Sequence, residues 1–231
     1  MNNSKLIFVS SLLLAFSLVS TSCTATAPTI QTGADAEVSF DGLHKVDHST
    51  ADDAWARPDI DLSTYGKIML VDAGVEYTPT SNRGRTTMDR SRGGPYFIDD
   101  KTRARFEMLV DEIFDEEMAK TERFEIVEEA GPDVLTVSVG LLNVTSYVPA
   151  DNLAGRSGMF IRSVGDATLV LELRDSETDT ILARSIDRRA AERPGGDMMN
   201  SNSVTNASEV KRLIRTWAKG LREGLDGFGQ Q

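Results

Sequence analysis

The chain has one cysteine, Cys23, and two histidines, His44 and His48, in 231 residues. A single thiol cannot form an intramolecular disulfide, so the fold must rest on its hydrophobic core even in an oxidising compartment. Both histidines precede residue 54. The rest of the chain therefore has no imidazole and no thiol, and Ser-His-Asp and Cys-His mechanisms have no seat there. No Walker loop and no G-x-G-x-x-G occurs, so phosphate-cradling glycine loops are missing too. The segment Gly155-Arg156-Ser157-Gly158 lacks the spaced second glycine and following helix of a nucleophile elbow. Basic residues are outnumbered, 25 against 36 acidic, for a net charge of −11. That balance repels phosphate backbones and argues against a nucleic-acid partner. Finally, no apolar run reaches the roughly 20 residues of a membrane span.

The longest apolar run covers residues 6–19, after a polar start carrying Lys5. Its length suits the core of a secretory signal peptide. An A-x-A cleavage site is offered by Ala25-Thr26-Ala27, but Pro28 would then be the first mature residue. The competing site lies between Ser22 and Cys23, where small residues precede the lone cysteine. That pattern resembles a bacterial lipobox, with Ser20 where Leu is usual. Its cysteine would be acylated and become the new N-terminus, and Thr24, not Asp, at the next position implies the outer membrane by the same resemblance. Cys23 is thus the expected lipidation site and the expected link to a membrane. Two or three acyl chains, each buried methylene contributing ~0.8 kcal/mol, would hold the protein permanently. Removing 1–22 takes away only Lys5, so 24 basic residues face 36 acidic ones and −11 becomes −12.

Composition divides the remainder. Residues 23–53 are rich in Thr, Ala and Asp and read as a flexible tether spanning roughly 30 Å as a coil. Residues 54–231 read as a single domain. Within it, 66–78 is a strand, and its unbroken apolar run at 68–71 suits a strand covered on both faces or central in its sheet. Residues 79–96 form a long Gly/Pro/Ser/Arg loop. Phe106, Leu109, Val110, Ile113, Phe114 and Met118 recur at helical period, so 101–120 is a helix capped by Asp99 or Asp100. Strands follow at 124–128, 134–148, 166–174 and 181–190, the last two a hairpin around 176–179. Ser208 is placed to cap a final helix whose apolar face carries Leu213, Ile214, Trp217, Leu221, Leu225 and Phe228. The order βαββββα predicts an α+β two-layer sandwich: an antiparallel-rich sheet with two amphipathic helices on one face.

Three segments carry a resemblance: ARPDIDLSTYGKIMLVD at 56–72, GPDVLTVSVGLLNV at 131–144 and LELRDSETDTILAR at 171–184. Together with the intervening helix they resemble the DUF3313 family of proteobacterial lipoproteins, from about Trp55 to Phe228. The resemblance implies this architecture and an envelope location, but no reaction.

Four features remain for function. His44 and His48, with Asp47, Asp52 and Asp53 nearby, could hold a metal only if they shared a helix; exposed tether residues are the expectation, with no metal and no cofactor. Arg83, Arg85, Arg90 and Arg92, opposed only by Asp89, make 79–96 a +3 loop in an acidic protein. Guanidinium forks suit carboxylate or phosphate, so these four are the candidate contact to an anionic glycan, headgroup or acidic envelope partner. Met159-Phe160-Ile161 either tucks into the core or forms an exposed docking edge. The final helix, carrying Lys211, Arg212, Arg215, Lys219 and Arg222, either covers the sheet beside the acidic first helix or lies on a membrane. The expected role is a non-enzymatic binding or scaffolding module on the periplasmic side of the outer membrane. Two alternatives stay open: an envelope hydrolase using paired carboxylates such as Asp72 and Asp166, or a carrier of a small ligand or lipid.

Overall fold

The structure, a computed structural model, describes residues 26–80, 95–149 and 159–227. The strands are β1 (Thr29–Ile30), β2 (His44–Asp47), β3 (Asp53–Ala56), β4 (Lys67–Tyr77), β5 (Glu125–Ile126), β6 (Val134–Ser146), β7 (Phe160–Ile161), β8 (Ser163–Asp175), β9 (Ile181–Glu192) and β10 (Met199–Asn200). The helices are α1 (Asp100–Met118) and α2 (Ser203–Gly227). Eight strands form one mixed sheet in the order β1-β2-β3-β9-β8-β6-β4-β5. Pairing is antiparallel from β1 through to β6, and parallel where β4 joins β6 and β5. β7 and β10 pair separately. The α+β two-layer architecture is as the pattern of elements requires.

Alternation along β6 and β8 places Leu135, Val137, Leu141, Ala167 and Leu169 on one face. Ile113, Phe114 and Met118 of α1 and Leu213, Ile214 and Trp217 of α2 close over it in one core. Asp99 caps α1, its Oδ1 accepting from the Thr102 N–H at 2.7 Å. Complementary charge lines the helix pair, Arg215 meeting Glu116 at 3.9 Å and Arg222 meeting Glu117 at 4.0 Å. Gly165 is demanded by close approach: a Cβ there would sit 2.0 Å from the Thr145 carbonyl oxygen. At the β8–β9 turn Asp179 takes φ 55°, a conformation usually left to glycine.

Three expectations are corrected. First, much of 23–53 is not a free tether. β1 pairs with β2, β2 with β3, and β3 with β9, so this segment adds two strands to the sheet and begins a third. Leu43 is fully buried apart from the main core, and Asp41 reaches Arg184 of β9 at 2.6 Å. The segment reads as coil because each strand is too short to show a period; its pairing is entirely tertiary. Second, α2 begins at Ser203 rather than near Ser208. Asn202 Oδ1 accepts from the N–H groups of Val204 and Thr205 at 3.1 and 2.9 Å, so it is the cap. Glu209 is consequently inside the helix, buried and bound to Arg212 at 2.7 Å. Third, β4 is neither central nor covered twice: only β5 lies beyond it, and Val71 stands exposed on the face away from the helices.

That outer face carries an ion cluster. Glu172 accepts from Arg174 and Arg184, each at 2.8 Å, and Arg184 also donates to Asp41. Burial pushes the Glu172 carboxyl up, but hydrogen bonds from both guanidinium groups outweigh it and hold it below the usual carboxylate range. A group depressed in the folded state stabilises above its unfolded value, about 4.3 for Glu. That stabilisation is lost as pH falls through the folded value. Glu172→Gln should therefore lower the urea midpoint at neutral pH and make its fall below about pH 4.3 shallower. Midpoints measured across the acid range check this; two parallel curves would show that the cluster contributes nothing.

Candidate functional site

α1 and α2 cover β4, β6 and β8, but the helix side of β3 and the first half of β9 is covered only along one margin. There α2 forms the wall of an open groove of about 340 Å³. Leu171, Leu173, Ala54 and Ala183 make the floor, and Trp217 and Leu221 the wall. Residues 49–51, between β2 and β3, close the far rim. Most of the lining is apolar.

Small residues keep the groove open. Gly220 and Gly224 lie one turn apart on the α2 face that lines it. A methyl group at either position would touch nothing within 4 Å. Neither glycine, then, is required for close packing, and each costs an exposed helix about 1 kcal/mol relative to alanine. They leave empty a strip that ordinary side chains would fill.

One carboxylate borders this apolar space. Asp187 of β9 is only 6% exposed. Its Oδ2 accepts from Trp217 Nε1 at 2.6 Å and from Arg189 Nε at 2.5 Å. The two bonds compensate a charge that burial would otherwise penalise. They also lock Trp217 as the wall of the groove. The second tryptophan, Trp55, lies on the opposite side of β3: it sits across from Arg184, with the Lys45 ammonium 4.8 Å from its ring centre.

A smaller apolar cavity of about 160 Å³ opens at the other end of the core, between Tyr77, Phe106, Val164 and Leu213. The Tyr77 hydroxyl donates to Glu107 at 3.0 Å, and burial together with that carboxylate raises its pKa.

The residues singled out in the sequence are placed as follows. Cys23, Arg83, Arg85, Arg90 and Arg92 lie outside the described residues. His44 is in a strand, with Nδ1 2.8 Å from the Gln31 carbonyl, and His48 follows in a turn at φ 59°. They share no helix, and among the described residues no three potential metal ligands gather. Asp72 sits across β4–β6 from Val139, whereas Asp166 sits across β6–β8 from Thr145. Those register positions are six residues apart along β6, roughly 20 Å, so the two carboxylates do not converge. Asp166 instead holds Arg188 at 2.9 Å and accepts from Tyr147 at 3.2 Å. Asp111 does lie near Asp72; its carboxyl is pushed up by burial, then by Asp72, Asp115 and Glu107. The 159–161 trio does not tuck inward: Phe160 is 62% exposed, and Met198 and Val204 are exposed as well. Among the described residues no helix is long and apolar enough to cross a membrane.

The described residues thus combine an α+β sheet with a helix-walled apolar groove. The DUF3313 family, described as a protein of unknown function, matches residues 35–221, and the chain belongs to it. Its match begins well before residue 54, in line with the early strands. No curated protein is similar enough to match. Among solved structures, a DUF330 protein from Xanthomonas campestris is similar at 10% identity and TM-score 0.41, over 76% of this chain and 91% of its own. A PelC dodecamer from Paraburkholderia phytofirmans is similar at 10% identity and TM-score 0.30, over 71% and 91%. Both likenesses are distant.

Proposed function

We propose that the protein is an envelope lipoprotein, anchored through Cys23 to the outer membrane and facing the periplasm, whose domain binds apolar ligands without chemical turnover. The observation that carries the binding part is the groove beside α2, left open by two glycines that nothing else in the packing requires. Its volume falls within the range of small-molecule sites, and its lining is mostly apolar with a few polar groups, Asp187 fixed among them, as such sites usually are. The anchor rests on the small residues before the lone cysteine.

Each part has its own test. N-phenylnaphthylamine, an uncharged fluorophore that brightens in apolar surroundings, should brighten with the wild-type protein. Gly220→Leu should abolish that signal while holding or raising the melting temperature, since it fills the groove and improves helix propensity. Equal brightening in the variant would place binding elsewhere. For the anchor, a palmitate analogue fed to cells should label the wild type and not Cys23→Ala; an unlabelled wild type would remove it.

A further inference from the structure

The groove has a polar end. Past Ile186, β9 has left its partner β3, the Arg188 N–H being taken by Asp52, and it runs beside Arg212 and Thr216 of α2. A second recess of about 360 Å³ opens there, lined by Arg188, Arg189, Arg193 and Arg212 with Glu192. Arg189 and Thr216 line both the recess and the apolar groove, so the two spaces are adjacent. The Arg189, Arg193 and Arg212 side chains border it in a chain whose net charge is −11, while Arg188 alternates to the other face of β9 and holds Asp166.

These arginines are only partly committed. Arg189 gives Asp187 its Nε alone, and Arg188 gives Asp166 one terminal nitrogen. Arg212 gives Glu209 two nitrogens. Arg193 is exposed; its carbonyl accepts from the Gly196 N–H, and its guanidinium makes no hydrogen bond or ion pair among the described residues. The carboxylates neutralise most of the formal charge but leave guanidinium N–H donors pointing at no partner, the geometry that receives a carboxylate or phosphate fork. An apolar trough running into a cluster of spare anion donors matches one kind of molecule.

We infer that the groove and recess together hold a single-chain anionic amphiphile, its aliphatic chain along Gly220 and Gly224 and its carboxylate or phosphate head at Arg189 and Arg193. This deepens the proposed apolar binding and rests on it. The two glycines set the width for one chain, because the floor opposite them is made of Ala54, Ala183 and leucines. Glu192, which lines the recess, opposes binding, as does Asp187, which already holds Arg189.

The probe is dibromostearate, whose bromines quench tryptophan on contact; its uncharged methyl ester is the comparison. The full chain is used with Trp55→Phe, which leaves Trp217 as the only tryptophan. The anion should quench Trp217 at lower concentration than the ester. Arg193→Gln should weaken the anion about 3–5-fold, the effect of an exposed charge pair, and leave the ester unchanged. Glu192→Gln should tighten the anion alone. Gly220→Leu, or Gly224→Leu if the first fails to fold, should abolish quenching by both. Equal quenching by anion and ester, indifferent to Arg193, would overturn the anionic head while leaving apolar binding standing. Quenching by neither probe would overturn both, and quenching that survives a filled groove would do the same.

Discussion

A chain cut to begin at residue 54 should fail to fold cooperatively, whereas one beginning at residue 26 should fold. The shortened chain loses β1, β2 and fully buried Leu43. It also loses Asp41, which meets Arg184, and Asp53, which pairs with Lys45. Burying a leucine is worth about 1.5–3 kcal/mol, and Trp55 and Ala56 lose their β2 ladder partners. The cut also bares the edge of β3, a template for aggregation. A combined loss on the order of 5 kcal/mol is comparable with the whole stability of many domains. Urea unfolding and size-exclusion chromatography of the two chains decide it. The same midpoint in both would mean that residues 26–53 are a tether after all. Leu43→Ala gives a finer reading, with an expected cost of about 2–5 kcal/mol.

Trp217→Ala should cost about 3–5 kcal/mol. The indole is 4% exposed and packs among Leu169, Leu213 and Leu221 in the single core beneath α2. Its Nε1 is also one of two donors to the buried Asp187 carboxylate. Trp217→Phe separates the two contributions: it keeps most of the volume and removes the donor, so that Asp187 is left with Arg189 alone. A charge-assisted bond of this kind contributes about 1.5–3 kcal/mol. Denaturant midpoints for both variants provide the measurement. An unchanged midpoint for Trp217→Ala would mean that α2 does not cover the sheet, and would favour the alternative in which this basic helix lies on a membrane.

What could be read from the sequence follows the length and regularity of each element. α1 carries one uninterrupted apolar face and an aspartate at its start, so its ends fall within a residue or two of expectation. β6, β8 and β9 are long enough for alternation to show. The start of α2 is obscured because Ser203, Val204, Thr205 and Asn206 are poor helix formers that resemble the loop before them; Asn202 and the packing of the following turns override that preference. β1 and β2 are hidden for a different reason. Ile30, Leu43 and Val46 are isolated apolar residues, and only a neighbouring strand gives each a place.

The groove is legible only in part. Gly220 and Gly224, spaced by four inside a strongly amphipathic helix and beside Trp217 and Leu221, are a signal visible in the sequence. The floor they face comes from Ala54, Leu171, Leu173 and Ala183, which the β3–β9–β8 pairing alone brings together. The recess likewise depends on where β3 ends along β9, a matter of register that no local pattern encodes. Asp187 gives no signal either, since its role arises from a tryptophan 30 residues away.

The most direct test is methyl-resolved NMR of the full chain titrated with stearate. The shifts expected are at Leu171, Leu173, Leu221 and Leu225, along the groove, with Val71 and Leu142 on the outer face unmoved. Shifts confined to the outer face, or no shifts up to the solubility limit of the ligand, would contradict a binding role for the groove.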